Sequence, residues 1–365
     1  MRRVFVTDGS YHNALAAVRA LGRAGFSVTV GERVGAPSST ISSFWSRHCA
    51  QTLRYPDPRY ASDDAAAVLS AHFARERYDA AIPVGLDMVD LFVRNRDALD
   101  VPALLPSPES FAIAADKYRT FEQAARTGIP APKTVPAWCW DDIEPPIVFK
   151  HARKGAFIAT NRREAQSYAS SLHAAIGEYL AQEYVPGENG FGYFAIFSEG
   201  RETGYFMHER LRQYPKEGGP SVTARAIRNP RLHELGRTLL ESMHWNGVAM
   251  VEFKRSDRDG EFYLIEINPK LWGSLDLAIQ AGSNFPVWIV KTLLGEAFPS
   301  NGYREGLTYQ CVVPVGIKSF VRYPDFRVQF VRNVLSRDVR TDVQLRDPLP
   351  TAAGIFGLAR GLASQ

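Results

Sequence analysis

Lysine is scarce in this chain: nine of the 43 basic residues, the other 34 being arginine. The arginines are scattered and the formal net charge is only +4 over 365 residues, which argues against a nucleic-acid partner. Each well-placed lysine is correspondingly informative. Cysteine is scarcer still. Cys49, Cys139 and Cys311 lie far apart and are odd in number, which argues against a disulfide framework or a zinc site; buried thiols in a reducing compartment are expected. No apolar run approaches the roughly eighteen residues of a membrane span. The opening MRRVFVTDGS has an apolar run of only three residues before Thr7-Asp8, too short for a secretory signal. The loop Asp8–Asn13 lacks the three-glycine dinucleotide fingerprint, which argues against a nicotinamide or flavin cofactor. No internal repeat or low-complexity stretch is present. What is left is a cytoplasmic protein of ordinary globular composition, long enough for two or three domains.

Taken in order, Val4-Phe5-Val6 reads as a strand, Asn13–Ala24 as a helix closed by Gly25, and Phe26–Val30 as the next strand. A strand–helix–strand unit begins a parallel sheet. A helix over 65–74 and a strand over 78–84 extend it to about Leu105-Pro106. The loops Asp8–Asn13 and Gly85–Asp90 follow strands, where open α/β sheets bind ligands. They are expected to wall a small-molecule cleft; the plainer reading makes them tight turns, with Asp87 and Asp90 as surface charge. Ser107-Pro108-Glu109 and Asp116-Lys117-Tyr118 are two capped helix starts. The second helix is stopped by Gly128 and Pro130. Ile147–Lys150 is an apolar strand ending on a lysine, 181–188 a short strand closed by Pro-Gly, and Gly192–Phe197 another strand. His208–Arg225 reads as a long, polar, glycine-rich connection. Pro230–Met243 is helical. The tail from about Pro299 carries apolar segments and closes with a helix over 352–362.

The most informative stretch is Val248–Ser274. Val251, Phe253, Ile265 and Ile267 alternate with Met250, Glu252, Leu264, Glu266 and Asn268 in the period of a strand. Asp259-Gly260 marks a turn. Folding about position 259 sets Glu252 opposite Glu266, with Asn268 on their face. Two such carboxylates repel at roughly 5 Å. Carboxylate and amide oxygens suit a hard divalent cation such as Mg²⁺. Without a metal, replacing one glutamate is expected to relieve the repulsion. The plainer reading is an exposed hairpin whose glutamates pair with Lys254, Arg255 or Arg258.

Four landmarks fall in one order: Lys117 at a helix start, Lys150 at a strand end, the Glu-Tyr-Val-Pro-Gly-Glu segment (183–188), and Glu252 with Glu266-x-Asn268. Gly128-Ile129-Pro130-Ala131-Pro132 lies between the lysines. This ordered set resembles the ATP-grasp superfamily over essentially the whole chain. His208–Leu211, Gly218–Ser221, Asn268–Ser274 and Arg346-Asp347-Pro348 are similar to the D-aspartate ligase-like, carboxylate–amine ligase branch. The resemblance implies a mixed α/β (α+β) fold. An N-terminal open parallel α/β domain (1–106) would precede a small lid subdomain (107–187), an antiparallel-sheet catalytic subdomain (188–298) and a C-terminal extension (299–365).

The resemblance also implies roles. Lys117, Lys150 and Lys154 would hold ATP phosphates, Gln182, Glu183, Tyr184 and Val185 the adenine, and Glu188 the ribose. Glu252, Glu266 and Asn268 would bind Mg²⁺, or Mn²⁺ in its place. Arg225 and Lys270 would be catalytic cations, with Lys270, Trp272, Gly273 and Ser274 at the substrate. The phosphate loop is glycine-poor, with only Gly155 beside Arg153 and Lys154. Small-molecule carboxylate and amine substrates are implied, and homodimers are common among such proteins. The implied reaction activates a carboxylate as an acyl phosphate and joins it to an amine, releasing ADP and phosphate. A carboxylase or carboxylate–thiol ligase is the alternative within enzymes; a non-catalytic ATP-sensing module is the alternative outside them.

Overall fold

Among the described residues three sheets follow one another along the chain. The computed structural model describes residues 1–151, 155–187, 190–216, 218–299 and 302–363. In the first sheet β1 (Arg3–Val6), β2 (Ser27–Arg33), β3 (Cys49–Tyr55) and β4 (Ala80–Ile82) are all parallel, in the order β3-β2-β1-β4. Both faces are covered, so β1 and β4 read as unbroken apolar runs. Because β1 and β4 are neighbours, the loops leaving their carboxyl ends come together. The Gly85 amide donates to Asp8 Oδ2 at 2.8 Å and the Val84 amide to Thr7 Oγ1 at 2.9 Å. A Cβ at Gly85 would stand 3.0 Å from the Tyr11 ring, so a larger residue would push the loops apart.

The second sheet, β5 (Thr134–Pro136), β6 (Ile147–His151), β7 (Gly155–Ala159) and β8 (Tyr179–Glu183), is antiparallel in the order β5-β8-β6-β7. Its apolar face packs Phe149, Ile147 and Ala181 against the helix Arg162–Leu172.

The third sheet has seven strands: β9 (Gly190–Ser198), β10 (Arg201–Gln213), β11 (Ser221–Ala226), β12 (Gly247–Arg255), β13 (Phe262–Asn268), β14 (Thr308–Gln310) and β15 (Val339–Thr341), in the order β13-β12-β9-β10-β11-β14-β15. One face buries Tyr193, Phe197, Val251 and Phe253 against helices Lys117–Arg126 and Pro230–Ser242. The other buries Phe194, Ile196, Phe206 and Met250 in a core shared with Val4, Val6 and Val30 of the first sheet. The first and third sheets therefore share one core.

Two expectations are corrected here. His208–Arg225 is not a connection: it spans the end of β10 and most of β11, joined by the Tyr214–Pro220 turn. These strands look polar because Glu209, Arg210 and Arg225 satisfy one another and Glu252 instead of packing. The face assignment on β13 also changes. Glu252 pairs with Glu266, but Phe253 pairs with Leu264, which leaves Ile265 without a partner as a bulge. Leu264 consequently lies in the core with Val251 and Phe253.

The tail returns to the first sheet. Arg19, only 2 % exposed, donates through Nε to Asp347 Oδ2 (2.8 Å) and through its other nitrogens to the Asp347 and Asp342 carbonyls (2.8 and 2.9 Å). Asp347 also accepts from Ser46 Oγ and the Arg47 amide at 2.8 and 2.9 Å. Arg19→Met should therefore cost about 3–5 kcal/mol, the usual result of stranding a buried charge. The double variant Arg19→Met/Asp347→Leu should recover part of the loss. Urea denaturation checks this; a single-variant loss below about 1 kcal/mol would mean that the pair does not anchor the tail.

Candidate active site

The strand alternation of β12 and the turn at Asp259-Gly260 bring Glu252 opposite Glu266, as the spacing requires. Neither carboxylate is left unpaired. Lys117, at the first position of a helix capped by Asp116, reaches Glu266 Oε2 with its Nζ at 2.5 Å. Arg210, on β10, grips Glu252 with two parallel hydrogen bonds of 3.0 and 2.9 Å. Asn268 donates its amide to Glu266 Oε1 at 2.8 Å. Burial pushes the Glu266 carboxyl up, but Lys117, Asn268 and Lys150 together outweigh it and hold it down to about 2.

Lys150, on β6, faces the same cluster. Burial, with Lys117 beside it, pushes its ammonium down to about 8 against the pull of Glu266 and Glu252. Lys254, two residues along β12 from Glu252, adds a further charge beside Lys150. Its ammonium stands 4.8 Å from the centre of the Tyr184 ring. Lys270 follows Asn268 by two residues, and burial lowers its pKa while Glu266, Asp8 and Asp87 oppose that shift. Lys270 thus stands between the carboxylate pair and the two loops of the first sheet. Five cations surround two carboxylates, and among the described residues the Lys150 and Lys270 ammonium groups have no hydrogen-bond partner. Such a partly desolvated positive excess favours a polyanion.

The loops expected to wall a cleft do meet at this point. Asp8, at a φ of 57°, is buried, and its carboxyl is pushed up to about 6 by burial against the hydrogen bonds from Thr7 and Gly85. Glu32 Oε2 accepts from the Ser10 amide at 2.6 Å, and Asn13 Nδ2 donates to the Leu271 carbonyl at 2.9 Å. The first loop is thereby fastened to the Asn268–Ser274 segment.

Several expected residues lie elsewhere. Arg225 shares the face of Met207 and Glu209, donates to Glu209 Oε2 at 2.7 Å, and is exposed. That is the face opposite Glu252. Arg210, one residue along in β10, occupies the position expected of it, because neighbouring residues of a strand point to opposite faces. Trp272 is not a cleft wall: it is 3 % exposed, with its ring 4.4 Å from Phe194 and 4.9 Å from Phe285 between centroids. Ser274 is buried at the start of the helix Leu275–Ala281, whereas Gly273 is exposed beside Pro220. Gln182 is buried, donating to Thr134 Oγ1 at 2.7 Å. Gln182 and Glu183 also pair with neighbouring strands, and the Tyr184 amide donates to the Pro146 carbonyl at 3.2 Å. Among the described residues of this segment, Val185 is the first whose backbone amide has no partner. Lys154 and Glu188, with Arg153, lie outside the described residues.

The structural comparisons agree with this geometry. An L-amino acid ligase from Bacillus licheniformis superposes with a TM-score of 0.63 at 14% identity, covering 80% of this chain and 74% of that one. The biotin carboxylase domain of a Hydrogenobacter thermophilus 2-oxoglutarate carboxylase, solved with MgADP and bicarbonate, gives 0.66 at 15% identity, covering 84% and 73%. N5-carboxyaminoimidazole ribonucleotide synthetase from Thermotoga maritima gives 0.60 at 17% identity, covering 82% and 78%. The chain has the ATP-grasp fold. Residues 208–312 match the family model described as ATP-grasp in the biosynthetic pathway with Ter operon. No curated protein matches the sequence. The solved structures that share this fold include ligases and carboxylases, so they show the fold and not one branch of it.

The donor set fits a magnesium ion: Glu252, Glu266 and Asn268 offer oxygen ligands on one edge of the ATP-grasp sheet. In the free protein Arg210 and Lys117 hold the two carboxylates in place. This reverses the expectation that losing a glutamate relieves repulsion. Glu266→Gln should lower the stability of the metal-free and nucleotide-free protein by about 1–3 kcal/mol, since Lys117 loses a charged partner beside Lys150. The folded carboxyl titrates at about 2, below its ordinary 4.5. Its contribution is therefore complete above pH 4.5 and disappears as the pH falls towards 2. Urea midpoints at pH 7 and pH 3 measure this; a more stable Glu266→Gln protein at pH 7 would contradict the pairing.

Proposed function

We propose that this protein is an ATP-dependent ligase that activates a carboxylate as an acyl phosphate and joins it to an amine. The observation that carries the reading is the pair Glu252–Glu266, each carboxylate held by a cation from a different element, beside the Lys150 and Lys270 ammonium groups, which have no hydrogen-bond partner among the described residues. Lys117 and Lys150 suit the phosphates of ATP, because an ammonium on a long stem follows a polyphosphate without demanding one geometry. Glu252, Glu266 and Asn268 would hold Mg²⁺, which when bound neutralises phosphate charge. Val185 offers backbone groups to adenine, and Lys254 covers the ring of Tyr184.

In the first step the substrate carboxylate attacks the γ-phosphoryl group and ADP leaves. In the second the amine attacks the acyl carbon, the carbon–oxygen bond to phosphate breaks, and the amine gives up a proton. Positioning supplies most of the acceleration. Lys270 is placed to hold the acceptor carboxylate, and Arg210 and Lys150 to stabilise negative charge near the phosphoryl group. The loops at Asp8–Asn13 and Gly85–Asp90 wall the acceptor side. The similarity to D-aspartate ligase-like enzymes makes amino acids the first acids to try, and a cytoplasmic setting supplies them.

Two measurements test the reading. ADP release should require Mg²⁺, an acid and an amine together. Lys150→Ala should weaken nucleotide binding by about 2–4 kcal/mol through the loss of one or two charge-assisted contacts. ADP release with bicarbonate or a thiol in place of the amine would favour a carboxylase or thiol ligase. Unchanged nucleotide affinity in a folded Lys150→Ala protein would overturn the assignment.

A further inference from the structure

A cavity of about 890 Å³ opens between the β1 loop and the tail. One side is formed by residues 10–13 and Leu15; the other by Ile317, Val321 and Leu358 of the tail helices Val315–Arg322 and Leu349–Ala363. This volume is in the range of pockets that enclose a drug-sized ligand. Most of the wall's surface is apolar; His12 and the buried Asp342 also line it, as do Lys318 and Arg322, which are both exposed. Tyr11 and Tyr214 also line it. Tyr11 stands beside Asp8 and Gly85. The tail wall begins at Val313, just past the segment 208–312 that matches the family model. Arg19, on the helix His12–Arg23 that follows β1, anchors it through Asp347 and the Asp342 carbonyl, and within the tail the Asp342 carboxylate accepts from the Val313 amide at 3.0 Å.

We infer that the acid activated by this protein carries a bulky apolar body that fills this cavity, its carboxylate directed back along Tyr11 towards Lys270. The inference deepens the ligase reading and rests on it for the orientation. The Lys270 ammonium supplies the charge for the carboxylate. Apolar surface removed from water supplies the affinity, so a small acid such as acetate would leave most of the site wet.

The test is a titration of straight-chain carboxylates from acetate to decanoate into the full-length protein without nucleotide, followed by calorimetry. The dissociation constant should fall about three- to fourfold per added methylene until the cavity is filled. Leu358→Trp, which occupies the cavity, should abolish that dependence while leaving nucleotide binding intact. Val321→Glu replaces an exposed residue and is expected to fold; it should weaken decanoate at least tenfold. A flat series, or a length dependence that survives in both variants while they bind nucleotide, would overturn the inference. If the length dependence is present and abolished by the variants, yet no acid–amine pair releases ADP, the apolar site stands and the ligase reading falls.

Discussion

Two carboxylates forced to face each other across β12 and β13 are the constraint on which the site depends. A cross-strand pair cannot move apart without breaking the ladder, so their charge has to be met from outside the hairpin. Lys117 meets it from a helix near the start of the second sheet's segment and Arg210 from β10. One electrostatic requirement thus draws together elements far apart in sequence. Lys117 and Arg210 hold the two carboxylates in place; in the proposed reading a bound polyphosphate would take over these cations while the backbone stays where the ladder holds it.

The surplus of positive charge is the second half of that arrangement. Two carboxylates would be satisfied by two cations, yet Lys150, Lys254 and Lys270 also face or flank them. Burial disfavours such an ammonium and like charges beside it add to the cost: Lys150 is pushed down by burial first and by Lys117 second. A fold that keeps such a cluster gains only when an anion arrives. Lys270 is set apart from the others, because its neighbours are Asp8 and Asp87 of the first sheet's loops. In the proposed reading that separation would give the cleft a phosphate side and an acceptor side, with Glu266 between them.

Much of this was legible in the residues, and the failures follow one pattern. The hairpin register was readable because a turn signal and a strict alternation both pointed to position 259. The caps at Ser107 and Asp116 accept from the Ser110 and Arg119 amides as their types require, which placed Lys117. What alternation cannot show is which face of a polar strand looks inward. Arg210 and Arg225 are equally cationic, and only the pairing of β10 with β9 and β11 puts the first beside Glu252 and the second behind it. The same limit hid the bulge at Ile265, where one unpaired residue changes the parity of everything before it. Trp272 misled for a different reason: an aromatic beside a functional lysine reads as a binding wall, but its neighbour Leu271 is tied to Asn13 and the segment turns into the core.

Strands β14 and β15 extend the large sheet beyond β11, with the helix Val315–Arg322 between them in the chain, and the helix Leu349–Ala363 packs on the turns at Ser38–Thr40 and Ser42–Trp45 that follow β2. They contribute apolar surface, held at fixed distance by a buried arginine–aspartate pair whose hydrogen bonds span more than 300 residues of chain. A buried ion pair contributes little net stability compared with an apolar replacement, but it tolerates only one arrangement of its partners. In the proposed reading the charged half of the site would work by exchanging partners and the apolar half by keeping its shape, and Tyr11, beside Asp8 and Gly85 and on the cavity wall, belongs to both.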